Sequence, residues 1–282
     1  MRRSLLFIPG NNPAMLQNAN LFNADGVIFD LEDAVSIDDK DSARILVESF
    51  LSNIKEENLE IIIRINGLDT IYYEDDLDSV ISDNIDTLMV PKASYKDLIK
   101  LDKVLSSLEE KRKLTKKIKI IPIIELATSL LECKEIASVS RLDGILLGAE
   151  DLTSDMEVNR TPEGEEIAYA RSVISLVCKA YKIDAIDTPF TNVTDEEGLL
   201  KDCKKAQTFG MNAKACIHPN QIGIVNELFS PTEKQIQYAL EVVRLSKTNG
   251  GVFSINGKMV DKPIIERSIK LLEKAKKFGL LS

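Results

Sequence analysis

Eight short apolar runs, separated by longer amphipathic segments, recur between residues 4 and 217 of this 282-residue chain. They occupy 4–8, 26–29, 61–65, 87–90, 118–124, 144–147, 184–186 and 213–217, and most are rich in Ile, Val or Leu. Runs of that kind suit strands covered on both faces. Between them, 38–52, 96–108, 163–181 and 195–209 show helical spacing behind polar starts able to cap. Strand then helix, repeated eight times, predicts a parallel sheet closed into a (β/α)8 TIM barrel, for which a length of about 250 residues is typical. The competing fold is an open doubly wound sheet. Its glycine-rich phosphate loop is missing, because the first run ends in Pro9-Gly10-Asn11-Asn12-Pro13.

The barrel is expected over 1–230. Residues 231–282 read as a helix-hairpin-helix extension: a helix over 232–249 stopped by Gly250-Gly251, strands over 252–255 and 258–260 about Asn256-Gly257, and a helix over 264–278. Asn-Gly marks a two-residue hairpin because both positions must tolerate positive φ. Such an extension suits either a lid or an element shared between subunits.

Composition narrows the function. A formal charge of −9 repels phosphate backbones and anionic lipid, so neither nucleic acid nor membrane is an expected partner. The run after Arg2-Arg3 is too short for a signal peptide, and no run is long enough to span a bilayer. Four scattered cysteines without a CxxC pair suit buried thiols in a reducing compartment, so a cytoplasmic location is expected. One histidine, His218, removes chemistry that needs two imidazoles, and no GxSxG, Walker loop or GxGxxG occurs.

The active face of a barrel is built at the carboxyl ends of its strands. There the runs lead into Asp30-Leu31-Glu32-Asp33, Arg64-Ile65-Asn66, Pro91-Lys92, Glu125, Glu150-Asp151, Asp187-Thr188 and His218-Pro219. Asp30 and Glu32 share one strand parity, whereas only one of Glu150 and Asp151 need face the mouth. An acidic set without thiolates or a histidine pair favours a hard cation such as Mg2+, which takes one or two protein carboxylates. Glu125 and Asp151 fit that demand. Arg64 offers a permanently charged planar fork for a substrate carboxylate. Any one of these acids taken singly reads more readily as a helix cap or a solvated loop charge, and Arg64 or Lys92 equally well neutralises Asp30 or Glu32; the recurrence at most strand ends is what capping does not require. His218 reads as a structural hydrogen-bonding residue, and Glu132 and Glu135 as a solvated helix face.

Arg3-Ser-Leu-Leu-Phe-Ile-Pro-Gly10, Phe29-Asp-Leu-Glu-Asp-Ala-Val35, Arg64-Ile-Asn-Gly-Leu-Asp-Thr70, Pro91-Lys92, Ile124-Glu125, Ala149-Glu-Asp-Leu-Thr-Ser-Asp-Met156, Tyr169-Ala-Arg171, Ile217-His-Pro219 and Asn256-Gly-Lys-Met-Val-Asp261 stand in this order along nearly the whole chain. Together they resemble the citrate lyase β subunits and the related malyl-, citramalyl- and citryl-CoA lyases. The resemblance implies a Mg2+-dependent carbon–carbon lyase that cleaves a citryl thioester, on an acyl carrier or on coenzyme A, to oxaloacetate and acetyl thioester. It implies Glu125 and Asp151 as Mg2+ ligands, with Glu125 also beside the substrate, and Arg64 as the oxo-acid-binding and catalytic arginine. Asp30, Glu32 and Asp33, with Lys92, form the charged surround. It also implies Asp261 as an acid/base reaching a neighbouring subunit's site in a homo-oligomer, a trimer, with an α subunit and an acyl carrier γ subunit as partners. Leu126-Ala-Thr-Ser129 departs from the Thr-x-x-Gly run of many relatives. The alternatives are citramalyl or malyl thioester cleavage, a metal-dependent pyruvate aldolase, and a non-catalytic subunit that binds the acyl carrier.

Overall fold

The computed structural model describes residues 1–54, 59–249 and 251–281. Eight strands hydrogen-bond in sequence order, and the last pairs with the first: β1 (Ser4–Pro9), β2 (Gly26–Asp30), β3 (Glu60–Arg64), β4 (Thr87–Val90), β5 (Lys119–Ile124), β6 (Gly144–Leu147), β7 (Asp184–Asp187) and β8 (Ala213–Cys216). All neighbours are parallel, as a closed (β/α)8 barrel requires. The observed strands begin and end within about one residue of the apolar runs, because burial on both faces and the ladder select the same residues.

The helices of this unit are α1 (Pro13–Gln17), α2 (Lys40–Asn53), α3 (Tyr73–Val80), α4 (Tyr95–Arg112), α5 (Ala127–Leu131), α6 (Cys133–Ala137), α7 (Ala149–Asp155), α8 (Ala168–Tyr181), α9 (Glu196–Thr208) and α10 (Asn220–Leu228). Their N-termini carry local reasons. Asn12 accepts from the Met15 N–H, Ser94 from Asp97 and Asp195 from Gly198. One start differs from the sequence reading: α8 begins at Ala168, not at 163. Gly164 adopts φ +62 and its N–H closes a turn onto Thr161, a left-handed step that a helix cannot contain.

Inside the barrel, Leu5, Ile28, Ile62, Met89, Ile121, Ile123, Leu146, Ile186, Ala213 and Ala215 meet in one buried cluster drawn from all eight strands. This cluster fixes parity. Residues an even number of positions along the same strand continue inward, and the others turn to the helix layer. Below it, at the amino ends of the strands, Arg2 bonds Glu60, Asp143 and Asp184, tying β3, β6 and β7 together.

Contacts divide the chain into residues 2–226 and a second unit of Met1 with residues from 227 onward. Within the second unit, α11 (Glu233–Asn249), the antiparallel hairpin of β9 (Phe253–Ile255) and β10 (Lys258–Val260), and α12 (Lys262–Lys277) follow in order. Val242, Ile255 and Val260 form their shared apolar centre. Asn256 and Gly257 both take positive φ at the hairpin tip. The expected stop at Gly250 lies outside the described residues. Among the described residues no helix is long and apolar enough to cross a membrane.

Candidate active site

Parity delivers Asp30, Arg64, Glu125 and Gly148 to the carboxyl end of the barrel, because each lies two residues beyond an inward-facing neighbour: Ile28, Ile62, Ile123 and Leu146. All four line a cavity of about 460 Å3, together with Glu150 and Asp151. The last two do not end a strand. β6 stops at Leu147, and both acids occupy the first turn of α7, so side-chain alternation does not separate them and both reach the cavity. Glu150 is paired to Arg160 at 3.0 Å, while Asp151 is exposed and has no such ion pair among the described residues.

Glu125 is buried, with 4% of its surface exposed. Its Oε1 accepts the backbone N–H of Lys92 at 2.6 Å. Lys92 takes φ +47 and its side chain is exposed. Lys92 meets the site in two ways: its main-chain N–H donates to Glu125, and its ammonium, which makes no ion pair among the described residues, favours the charged form of Glu125 through space. Gly148 faces Glu125 closely; a Cβ there would stand 2.6 Å from the Glu125 Cβ and 2.8 Å from its Oε2. Only glycine permits that approach.

Arg64 is clamped. Its Nε and Nη2 donate to the two Asp30 oxygens at 2.7 and 2.5 Å, and its Nη1 stands 2.9 Å from Glu32 and 3.9 Å from Asp33. The guanidinium also lies 4.9 Å from the Phe7 ring centroid. The neutralising and the substrate-facing readings of Arg64 therefore meet in one residue: two of its five N–H groups hold Asp30 while it still lines the cavity. The loop that carries these acids is pinned from behind. Lys40 Nζ donates to the carbonyls of Leu31 and Glu32 at 2.7 and 2.6 Å, and Asn66 Nδ2 to Leu31 at 3.0 Å.

Charge is unbalanced here. Burial, opposed by the Lys92 N–H and reinforced by Asp151, pushes Glu125 up to about 7. Burial pushes Glu32 up to about 8 despite Arg64, helped by Asp33, Glu125 and Asp30. Burial also works against the charge on Arg64, but the Asp30 hydrogen bonds and the neighbouring carboxylates hold its pKa above the usual arginine range. Glu32 Oε2 is buried without a hydrogen-bond partner, its contact with Arg64 being an ion pair only. A dication beside Glu125 and Asp151 would relieve this excess. The donor set fits one: all oxygen, with no thiol or imidazole. Among the described residues no group of three or more His, Cys, Asp or Glu is arranged to hold a metal, so the fit is to an ion that takes two carboxylates and fills its remaining positions from water and substrate.

The other expected residues fall elsewhere. Asp187 points outward, opposite in parity to Ile186, and is wholly buried against Arg171 and Lys214 rather than at the mouth. His218 Nδ1 accepts the Asn220 N–H at the start of α10, a structural turn. Glu132 accepts the Tyr95 N–H on the surface. Asp261 caps α12 within the second unit, its Oδ1 accepting from Ile264 at 3.4 Å. Of the pair Asp187-Thr188 it is Thr188 that lines the cavity, as counting parity from Ile186 requires; the sequence reading passed over Gly148, which the same count from Leu146 finds. Lys214 is fully buried, and two aspartates hold it protonated against the cost of burial, so it is no Schiff-base amine.

Residues 3–219 match the family model described as HpcH/HpaI aldolase/citrate lyase. Citrate lyase subunit beta of Leuconostoc mesenteroides subsp. cremoris is 39% identical, over 98% of this chain and 93% of that protein. The mitochondrial citramalyl-CoA lyase of Homo sapiens is 30% identical, over 95% and 83% respectively. The crystal structure of protein CitE from Mycobacterium tuberculosis, in complex with magnesium, acetoacetate and coenzyme A, superposes with a TM-score of 0.81 at 28% identity, covering 98% of each chain. With a closed barrel, an oxygen-donor cavity at its carboxyl end and likeness across nearly its full length, this chain belongs to the HpcH/HpaI aldolase/citrate lyase family.

Proposed function

We propose that this protein is a Mg2+-dependent lyase that cleaves citryl thioester into oxaloacetate and acetyl thioester. The observation that carries the reading is the convergence of Glu125, Asp151 and Arg64 on one cavity, two carboxylates that suit magnesium beside an arginine that suits an oxo-acid. Bound there by Glu125 and Asp151, Mg2+ would supply Lewis-acid polarisation of the substrate oxygens.

The residues do the rest. Arg64, held in plane by Asp30, presents its remaining N–H groups to a carboxylate of the oxo-acid and stabilises the charge that gathers on that side. Phe7, Ile123 and Leu146 give the cavity an apolar floor, which strengthens those electrostatic contacts by excluding water. Cleavage moves the hydroxyl proton to a base while the O–H electron pair forms the ketone. The pair of the broken C–C bond passes to the carbon α to the thioester carbonyl, giving an enolate whose α-carbon an acid then protonates to leave the acetyl thioester. For that acid we assign Asp261, contributed by a neighbouring copy in a homo-oligomer. The protein would work in the cytoplasm beside an α subunit and an acyl carrier.

The likeness to citramalyl-CoA lyase at 30% identity favours one second reading, release of pyruvate from a citramalyl thioester. Incubation with both thioesters, followed by identification of the oxo-acid released, tests the proposal. Oxaloacetate formed only with Mg2+ is expected; pyruvate alone would reassign the substrate, and no oxo-acid from either would reject the lyase.

A further inference from the structure

Thr188 lies two residues beyond inward-facing Ile186, is 1% exposed and lines the cavity. Its Oγ1 accepts the N–H of Ala149, the first residue of α7, at 3.3 Å. Among the described residues the hydroxyl's own proton has no acceptor, so it is free to be donated into the cavity. The walls around it are rich in carboxylates, which only accept, and the nearby cation Arg64 already serves Asp30 and Glu32. A neutral donor at this position suits a ligand oxygen that would otherwise face acids.

Its placement is unusually fixed. Lys214 Nζ donates to the Thr188 carbonyl at 2.6 Å and to Asp187 Oδ2 and Asp202 Oδ2 at 2.6 Å each, which uses all three of its protons. Arg171 closes the ring, donating to both Asp187 oxygens at 2.8 and 2.9 Å and to Asp202 at 2.6 Å. Two cations and two anions thus cancel, with Lys214, Arg171 and Asp187 wholly buried. A balanced cluster of this kind, behind the strand and bonded to the residue's main chain, holds Thr188 from outside while α7 holds it from the cavity side.

We propose that Thr188 is a substrate-binding residue whose hydroxyl donates a hydrogen bond to a carboxylate or keto oxygen of the bound oxo-acid. The Lys214, Asp187, Arg171 and Asp202 cluster is the positioning device that aims it. The inference rests on the lyase reading above. The test is calorimetric titration of oxaloacetate into protein saturated with Mg2+, and of Mg2+ alone, for the wild type, Thr188→Val, Thr188→Ser and the charge-balanced double variant Lys214→Met with Asp202→Asn. Thr188→Val should weaken oxaloacetate about 10- to 100-fold, the range for a hydrogen bond to a charged group, while leaving affinity for Mg2+ alone unchanged. Thr188→Ser should restore most of the affinity. The double variant should bind Mg2+ and weaken oxaloacetate in the same direction as Thr188→Val. Wild-type affinity in Thr188→Val overturns the inference, as does an equal loss for Mg2+ alone, because the hydroxyl would then only anchor α7. A folded double variant with wild-type oxaloacetate affinity would strip the cluster of its positioning role. Wild-type protein that binds Mg2+ but no oxo-acid would reject the lyase reading, and this inference with it.

Discussion

Glu125 meets opposing demands: burial favours its neutral form, yet a metal ligand must be ionised. In the fold, burial pushes Glu125 up from its ordinary 4.5 to about 7, and Glu32 up to about 8. Between the unfolded and folded values the native state holds a proton that the unfolded chain has released. Metal-free stability should therefore fall as pH rises through this window, and Glu125→Gln should make the slope shallower, as measured by urea unfolding from pH 5 to 8. Because Mg2+ binds only the carboxylate, its stabilising shift in melting temperature should be larger at pH 8 than at pH 6. Glu125, Asp30 and Arg64 were legible because chemistry at strand ends is written in residue type. The main-chain hydrogen bond from Lys92 to Glu125 was not legible, because the left-handed φ that aims this amide is not encoded in being a lysine.

At the scale of elements, β6 and α7 bring Asp151 to Glu125 only because Gly148 lets the strand end close. Gly148→Ala should cost about 1–3 kcal/mol in urea unfolding, as overpacking does, and should weaken Mg2+ by displacing Glu125. Lys214→Met leaves Asp187 and Asp202 to share Arg171 and should destabilise by about 3–5 kcal/mol, with Asp202→Asn recovering much of it. The alternation of apolar runs made the strands readable. It did not reveal that Asp187 faces the helix layer, since its partner Arg171 comes from α8, and a one-residue parity error sends an acid to the wrong side. The start of α8 was hidden for a related reason, a single positive φ at Gly164 inside a run of polar residues that could equally have been helix.

For the whole molecule, the charge of −9 and the eight-fold alternation pointed to an acidic (β/α)8 enzyme, while the role proposed for the second unit rests on Asp261 and is tested through it. Asparagine caps a helix as well as aspartate does, so Asp261→Asn should leave stability within about 0.5 kcal/mol and still abolish turnover. Mixed with Arg64→Ala protein, it should regain part of the activity if sites are shared between subunits; no rescue would count against sharing. The most direct measurement of the account is calorimetric titration of Mg2+ into wild type, Glu125→Gln and Asp151→Asn. The wild type should bind saturably, and each variant should lose more than the roughly 10–100-fold that even an outer hydrogen-bonding partner costs. Wild-type affinity in either variant would contradict a magnesium site built from these two carboxylates.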